Sequence, residues 1–149
     1  MDKIDAAILN ELRKNARIAN RTLAQKVHLS PSAVLARVNK LKHAGIIRSF
    51  ETRLDGAKLG LGLTVLVELR IEKNIGDRRI GEELARIPEV VEIHDVAGEC
   101  DYLLKIMISD TAALRELMFR IGRIPGVGSS RTTLVLGTLK SELSPAVRA

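Results

Sequence analysis

The sequence predicts an α+β protein: an N-terminal winged helix-turn-helix followed by a ferredoxin-like βαββαβ domain. Three observations predict it. Residues 1–50 carry three amphipathic helical patterns, the last two joined by a very short link. From residue 63 the pattern alternates between a period of two and a helical period, in the order β-α-β-β-α-β. Arg86-Ile87-Pro88-Glu89-Val90 recurs as Arg123-Ile124-Pro125-Gly126-Val127, each leading from a helix into a strand. A doubled β-α-β with right-handed crossovers puts both helices on one face of a four-stranded sheet.

Asp2 is placed to cap a first helix running to about Lys14, with Ile4, Ala7, Ile8 and Leu12 as its buried stripe. Asn20 or Thr22 starts a short second helix with Leu23, Ala24 and Val27 inward. His28-Leu29 then turns into the stretch that organises this third of the chain, LSPSAVLARVNKLKHAG at 29–45. Ser30 is a good N-cap, Pro31 sits where its missing N–H costs nothing, and Gly45 suits a left-handed helix end. Val34, Val38 and Leu41 share one side, with Leu35 beside them. The opposite arc carries Ser32, Ala33, Ala36, Asn39, Lys40 and His43, with Arg37 on its flank. Small residues near the N-terminus and basic ones further along suit entry into a DNA major groove. An ordinary amphipathic helix with a solvated basic face is the competing reading. After Gly45, IIRSFETRL should be extended and form a small β wing on the helices.

Residues 55–62, DGAKLGLG, hold three glycines and are expected to be a hinge between a DNA-binding domain at 1–54 and a second domain at 63–140, leaving 141–149 as a tail. In the second domain, Leu63, Val65, Val67, Leu69 and Ile71 alternate onto one face of a strand. A helix around Asp77–Arg86 buries Ile80 and Leu84. VVEIHDVA and YLLKIMI are strands flanking the turn GECD. Asp110 caps a helix that buries Leu114, Leu117, Met118 and Ile121, and SSRTTLVLGTL supplies the last strand. Leu66, Leu103, Met107 and Val96 fall on the sheet face without helices, and a second copy of the chain is the economical cover for it.

Composition narrows the partners. Residues 1–50 hold ten Lys/Arg against three Asp/Glu, whereas residues 51–149 hold fourteen against fifteen, so the whole net charge of +6 originates in the first third. That asymmetry favours a polyanion at one end of the molecule. Aromatics make up only 2% of residues, too few for stacking platforms on single-stranded nucleic acid. The single cysteine, Cys100, fits a reducing compartment. No apolar run reaches membrane-spanning length and no signal peptide precedes the first helix, so a cytoplasmic location is expected. His94, Asp95, Cys100 and Asp101 lack metal-ligand spacing, Cys100 and His94 have no orienting third group, and no phosphate loop occurs. No metal, cofactor or catalytic residue is expected.

The patterns DxxDxxILxxLxxxAR, LAxxVxLSPSxVxxRVxxL and GIIxxFxxxLDxxxLG, in this order and spacing from Asp2 to Gly60, resemble the N-terminal half of the Lrp/AsnC ("feast/famine") transcriptional regulators. GxxDYLL at 98–104 and IPGV at 124–127 resemble the ligand-sensing, oligomerising RAM-type domain of the same family. The resemblance implies a sequence-specific regulator of duplex DNA, a homodimer assembling further to a tetramer or octamer, responsive to an amino-acid effector. It implies DNA contacts from Ser30, Ser32, Ala33, Ala36, Arg37, Asn39 and Lys40, with Ser32, Arg37 and Lys40 at positions where the family presents polar groups to DNA. It implies an effector pocket from Gly98, Glu99, Cys100, Asp101 and Tyr102, placed between adjoining dimers. Two plainer readings stand beside these: Arg37 bracing the helical bundle, and residues 98–102 forming a simple β-turn. An amino-acid sensor or small enzyme of ferredoxin-like fold, fused to a helical adaptor that does not bind DNA, is the rival function.

Overall fold

A computed structural model describes residues 1–72, 78–142 and 144–148. The chain falls into two compact units, Met1–Arg53 with Lys140–Ala149, and Leu54–Leu139.

The first unit contains α1 (Lys3–Lys14), α2 (Asn20–Lys26) and α3 (Pro31–His43). Asp2 caps α1 in a reciprocal capping box: its carboxylate accepts from the Asp5 N–H, and that of Asp5 accepts from the Asp2 N–H. Ile8, Leu9, Leu23, Ala24, Val27, Val34 and Leu41 form the core, joined at its edge by Val38, Ile47 and Val147. Three expectations need correction. Ala7 is exposed, and α1 instead buries Asp5, Ala6, Ile8 and Leu9, one position round the helix. Leu35 is 52% exposed rather than lying beside the core stripe. Residues 46–54 form no strand, so the wing is absent as a β element. A ladder needs a second strand, and among the described residues of this unit none pairs there. The segment is held at its start by the Ile46 and Ile47 amides on the Leu41 carbonyl and by side chains, with Ile47 against the core and the Lys42 ammonium 5.7 Å from the Phe50 ring centroid.

The second unit opens with a 3-10 turn, Ala57–Leu59, within the glycine-rich stretch expected as a hinge. Gly56 is buried against the tip of Met107. Then follow β1 (Leu63–Ile71), α4 (Arg78–Ala85), β2 (Val90–Asp95), β3 (Tyr102–Ile108), α5 (Thr111–Gly122) and β4 (Val127–Leu134). Asp77, expected at the start of α4, lies outside the described residues. The sheet order is β2-β3-β1-β4, antiparallel throughout, as two split β-α-β units require. Val65, Val67, Leu69, Leu104 and Ile106 are fully buried and pack with Ile80, Leu84, Leu117 and Ile121 of the helices. Leu66, Leu103 and Met107 are half-buried on the opposite face. By register, Leu66 lies opposite Lys105 and Thr133, and Leu103 opposite Glu68 and His94. Ion pairs Glu92–Lys105 at 2.6 Å and Glu68–Arg131 at 3.7 Å complete that face.

Candidate nucleic-acid interface and effector turn

The turn between α2 and α3 is set by His28, whose φ of 53° places it in the left-handed region that histidine tolerates better than most side chains. The Leu29 amide closes the turn on the Ala24 carbonyl at 3.0 Å. Ser30 caps α3 as its position predicts, accepting from the Ala33 N–H at 3.2 Å, with its hydroxyl 3.1 Å from that of Ser32. A further clamp comes from Asn20, whose side-chain amide donates to the Pro31 carbonyl at 2.8 Å and ties the start of α2 to the start of α3. Asn20 carries no local signature of that role. Ser32, Ala36, Asn39 and Lys40 are exposed and Ala33 half-exposed, so the small and basic arc of α3 faces outward. Lys40, Lys42 and His43 occupy the last turn, where cations complement the helix dipole.

In the second unit, the β2–β3 turn is fastened to the end of β1 through Asp101. The Asp101 amide donates to the Leu69 carbonyl at 2.8 Å, and its carboxylate accepts from the Ile71 N–H at 2.7 Å. Its carbonyl accepts from Val96 at 3.0 Å. The Arg70 guanidinium donates through Nε to the Glu99 carbonyl at 2.9 Å. Gly98 and Glu99 are exposed and Cys100 is half-buried. A Cβ added at Gly98 would meet nothing within 4 Å, so the space in front of the turn is open. Tyr102 points the other way, into the helix-side core, where Gly81 of α4 leaves room for its ring. The five residues expected at an effector pocket therefore divide. Gly98, Glu99 and Cys100 border open space, Asp101 holds the turn to β1, and Tyr102 packs under α4.

This geometry has close counterparts. Residues 1–42 match the AsnC-type helix-turn-helix domain, and residues 64–145 match the Lrp/AsnC ligand binding domain. The chain belongs to the Lrp/AsnC family. It is a DNA-binding transcriptional regulator with an amino-acid ligand-binding domain. The leucine-responsive regulatory proteins of Escherichia coli and Klebsiella pneumoniae are 36% identical to it over 143 residues, spanning 94% of this chain and 87% of theirs. A Neisseria meningitidis transcriptional regulator solved with L-methionine superposes with a TM-score of 0.93 at 31% identity, covering 97% of this chain and 96% of the other. Escherichia coli AsnC superposes at 0.88 with 26% identity over 95% and 96% of the two chains. A feast or famine regulatory protein of Mycobacterium tuberculosis, complexed with L-methionine, does so at 0.91 with 29% identity over 98% and 99%.

Within this Lrp/AsnC chain, Arg37 stands apart from the other α3 residues expected at DNA. Its Nη1 donates to Asp2 and to Asp5, both at 2.7 Å. One guanidinium nitrogen thus pins α3 to the capping box at the start of α1. The backbone N–H of the partner aspartate, and then Arg37, hold both carboxyls below their ordinary range; the two carboxylates raise Arg37 in return. Groups with lowered folded-state values stabilise above the ordinary carboxylate value of 3.8, and that contribution is lost as pH falls below it. Arg37→Ala is therefore expected to lower the melting temperature of the first unit at neutral pH. The gap to wild type should narrow as the buffer is taken below that value. Melts across an acid series check this, and a gap independent of pH would show that Arg37 acts by packing alone.

Proposed function

We propose that the protein is a cytoplasmic homodimer, assembling to a tetramer or octamer, that reads duplex DNA with paired α3 helices and adjusts that binding to an amino acid. The observation that carries the reading is the outward arc of α3. Ser32, Ala33, Ala36, Asn39 and Lys40 combine small side chains that permit close approach with groups that meet base edges or phosphates. Ser30 lies at the helix start, where the backbone favours a phosphate. Arg37, engaged by two carboxylates, serves as the residue that fixes the angle of α3 rather than as a base reader. No helix among the described residues is long and apolar enough to cross a membrane.

Binding should weaken steeply with salt, the log–log slope steepening by about 0.9 for each phosphate contact. Lys40→Ala should flatten that slope by about one contact while weakening all sequences alike. Titration of a selected duplex at several salt concentrations reads both numbers. A slope unchanged by Lys40→Ala removes Lys40 from the interface.

For the effector, the turn at Gly98, Glu99 and Cys100 forms one wall of a pocket that a neighbouring dimer completes. Exposed backbone donors suit a ligand carboxylate and the Glu99 carboxylate suits its ammonium. Asp101 and Tyr102 act from behind, fixing the wall to β1 and α4. Two structural relatives hold L-methionine, which makes it the first probe. Millimolar L-methionine is expected to raise the melting temperature and shift the assembly state of the full chain, because a ligand stabilises whichever assembly binds it better. Glu99→Ala should remove both responses and leave duplex binding without ligand unchanged. If no standard amino acid alters melting, assembly or DNA binding, the sensing role fails.

A further inference from the structure

Residues 140–142 and 144–148 do not trail from the second compact unit; they fold with Met1–Arg53. Val147 packs at the edge of the helix-turn-helix core. The Asn10 side-chain amide of α1 reads the backbone of the same residue at both ends, donating to its carbonyl at 2.9 Å and accepting from its N–H at 3.1 Å. One turn along α1, Arg13 pairs with Glu142 at 2.6 Å. Arg53, beyond α3, donates to the Ser141 hydroxyl at 2.8 Å and to its carbonyl. Ser141, Glu142 and Val147 thus bridge α1 to the stretch that follows α3. Ser144, Pro145 and Val147 border a cavity of about 750 Å³ whose walls include Leu12, Ile47 and Phe50.

A primary amide supplies both the donor and the acceptor that Asn10 presents to the C=O and N–H of one residue; aspartate lacks the donor and leucine lacks both. A salt bridge between exposed groups adds little alone, but here it repeats the direction set by a paired amide and a packed valine. The segment between β4 and this contact leaves Leu136 and Leu139 almost fully exposed, so neither leucine anchors it elsewhere within the chain.

We propose that residues 140–142 and 144–148 form a clasp on the DNA-reading unit, and that operator binding at full strength requires the clasp to be seated. The proposal rests on the regulator reading above. Seated, the clasp holds α1 and the 46–53 segment together around α3, so its release loosens the reading helix without altering any residue that faces DNA. Apparent affinity then falls with the fraction of chains that remain competent.

The test uses the full chain, an Asn10→Leu variant and a chain ending at Leu139. In wild type the Val147 amide should exchange slowly with solvent, and in Asn10→Leu it should exchange as in an open tail. Affinity for a duplex selected from random sequence should drop about fivefold or more in both altered chains. A synthetic peptide of residues 140–149 added to the shortened chain should restore affinity, and added to a shortened Asn10→Leu chain it should not. Slow Val147 exchange without Asn10, or wild-type affinity in the chain ending at Leu139, overturns the clasp. A wild-type chain that binds no duplex sinks the regulator reading instead, and the exchange measurement then decides the clasp by itself.

Discussion

Leu66→Asp is expected to yield a folded monomer whose affinity for a two-half-site operator is lower by about 10²–10⁴-fold. Leu66 lies on β1 at the middle of the helix-free sheet face, with Leu103 and Met107 half-buried on the same face. A second copy covering that face would bury Leu66 against apolar surface, and a carboxylate there would lose its water without gaining a partner. The protomer should tolerate the change, because its own core is built from Val65 and Val67 on the other side of the strand. The large loss at the operator follows from geometry: two α3 helices on one dimer convert the second half-site contact into an intramolecular one. Sedimentation and duplex titration on the same sample separate the effects. A variant that still sediments as a dimer would move the assembly surface elsewhere, and a monomer with undiminished affinity would reject paired reading.

Much of this organisation is legible in the sequence because it is local and periodic. The alternation from Leu63 to Ile71 is the burial pattern of β1, and Ile80 and Leu84 are the buried residues of α4. The Ser30-Pro31 start of α3 is a capping signal whose geometry the backbone realises. The repeated Arg-Ile-Pro segments mark the two helix-to-strand turns of a doubled unit. What escapes the sequence is the identity of partners. Ala6 and Ala7 differ by one step round α1, and a methyl group gives too weak a pattern to say which is inward. Leu35 is apolar by composition but sits on the outward side of α3, where its own period places it off the core stripe. Arg37 reads equally well as a DNA contact or a brace, until folding brings Asp2 and Asp5 to its nitrogen. Asp101 has the charge to meet a ligand ammonium, yet its carboxylate accepts from the Ile71 amide. The pairing of Asn10 with Val147 spans nearly the whole chain and leaves no trace in spacing or composition.

Leu41→Ala should disable DNA binding through stability alone. Leu41 is 3% exposed at the C-terminal half of α3, packed in the cluster of Ile8, Leu23 and Val34. Its carbonyl also receives the amides of Ile46 and Ile47 where the chain turns past Gly45, at φ 69°. Truncating such a leucine costs about 2–5 kcal/mol, since the transferred methylenes and the residual cavity both count. The unit that contains it has roughly sixty residues, a size at which buried area is limited and total stability is itself only several kcal/mol. The substitution therefore removes most of what keeps the reading helix in place. The second unit has a separate core around Leu69, Leu104 and Ile106 and should be untouched. The expected result is a melting curve in two steps, with the first shifted far down, and a chain that still associates but no longer retains duplex. Leu41→Met, which conserves volume, should cost under about 1.5 kcal/mol and keep binding near wild type. Calorimetry of both variants beside duplex titration checks this: an alanine variant that binds duplex normally, or one whose two units melt together, would show that the reading unit draws its stability from outside its own small core.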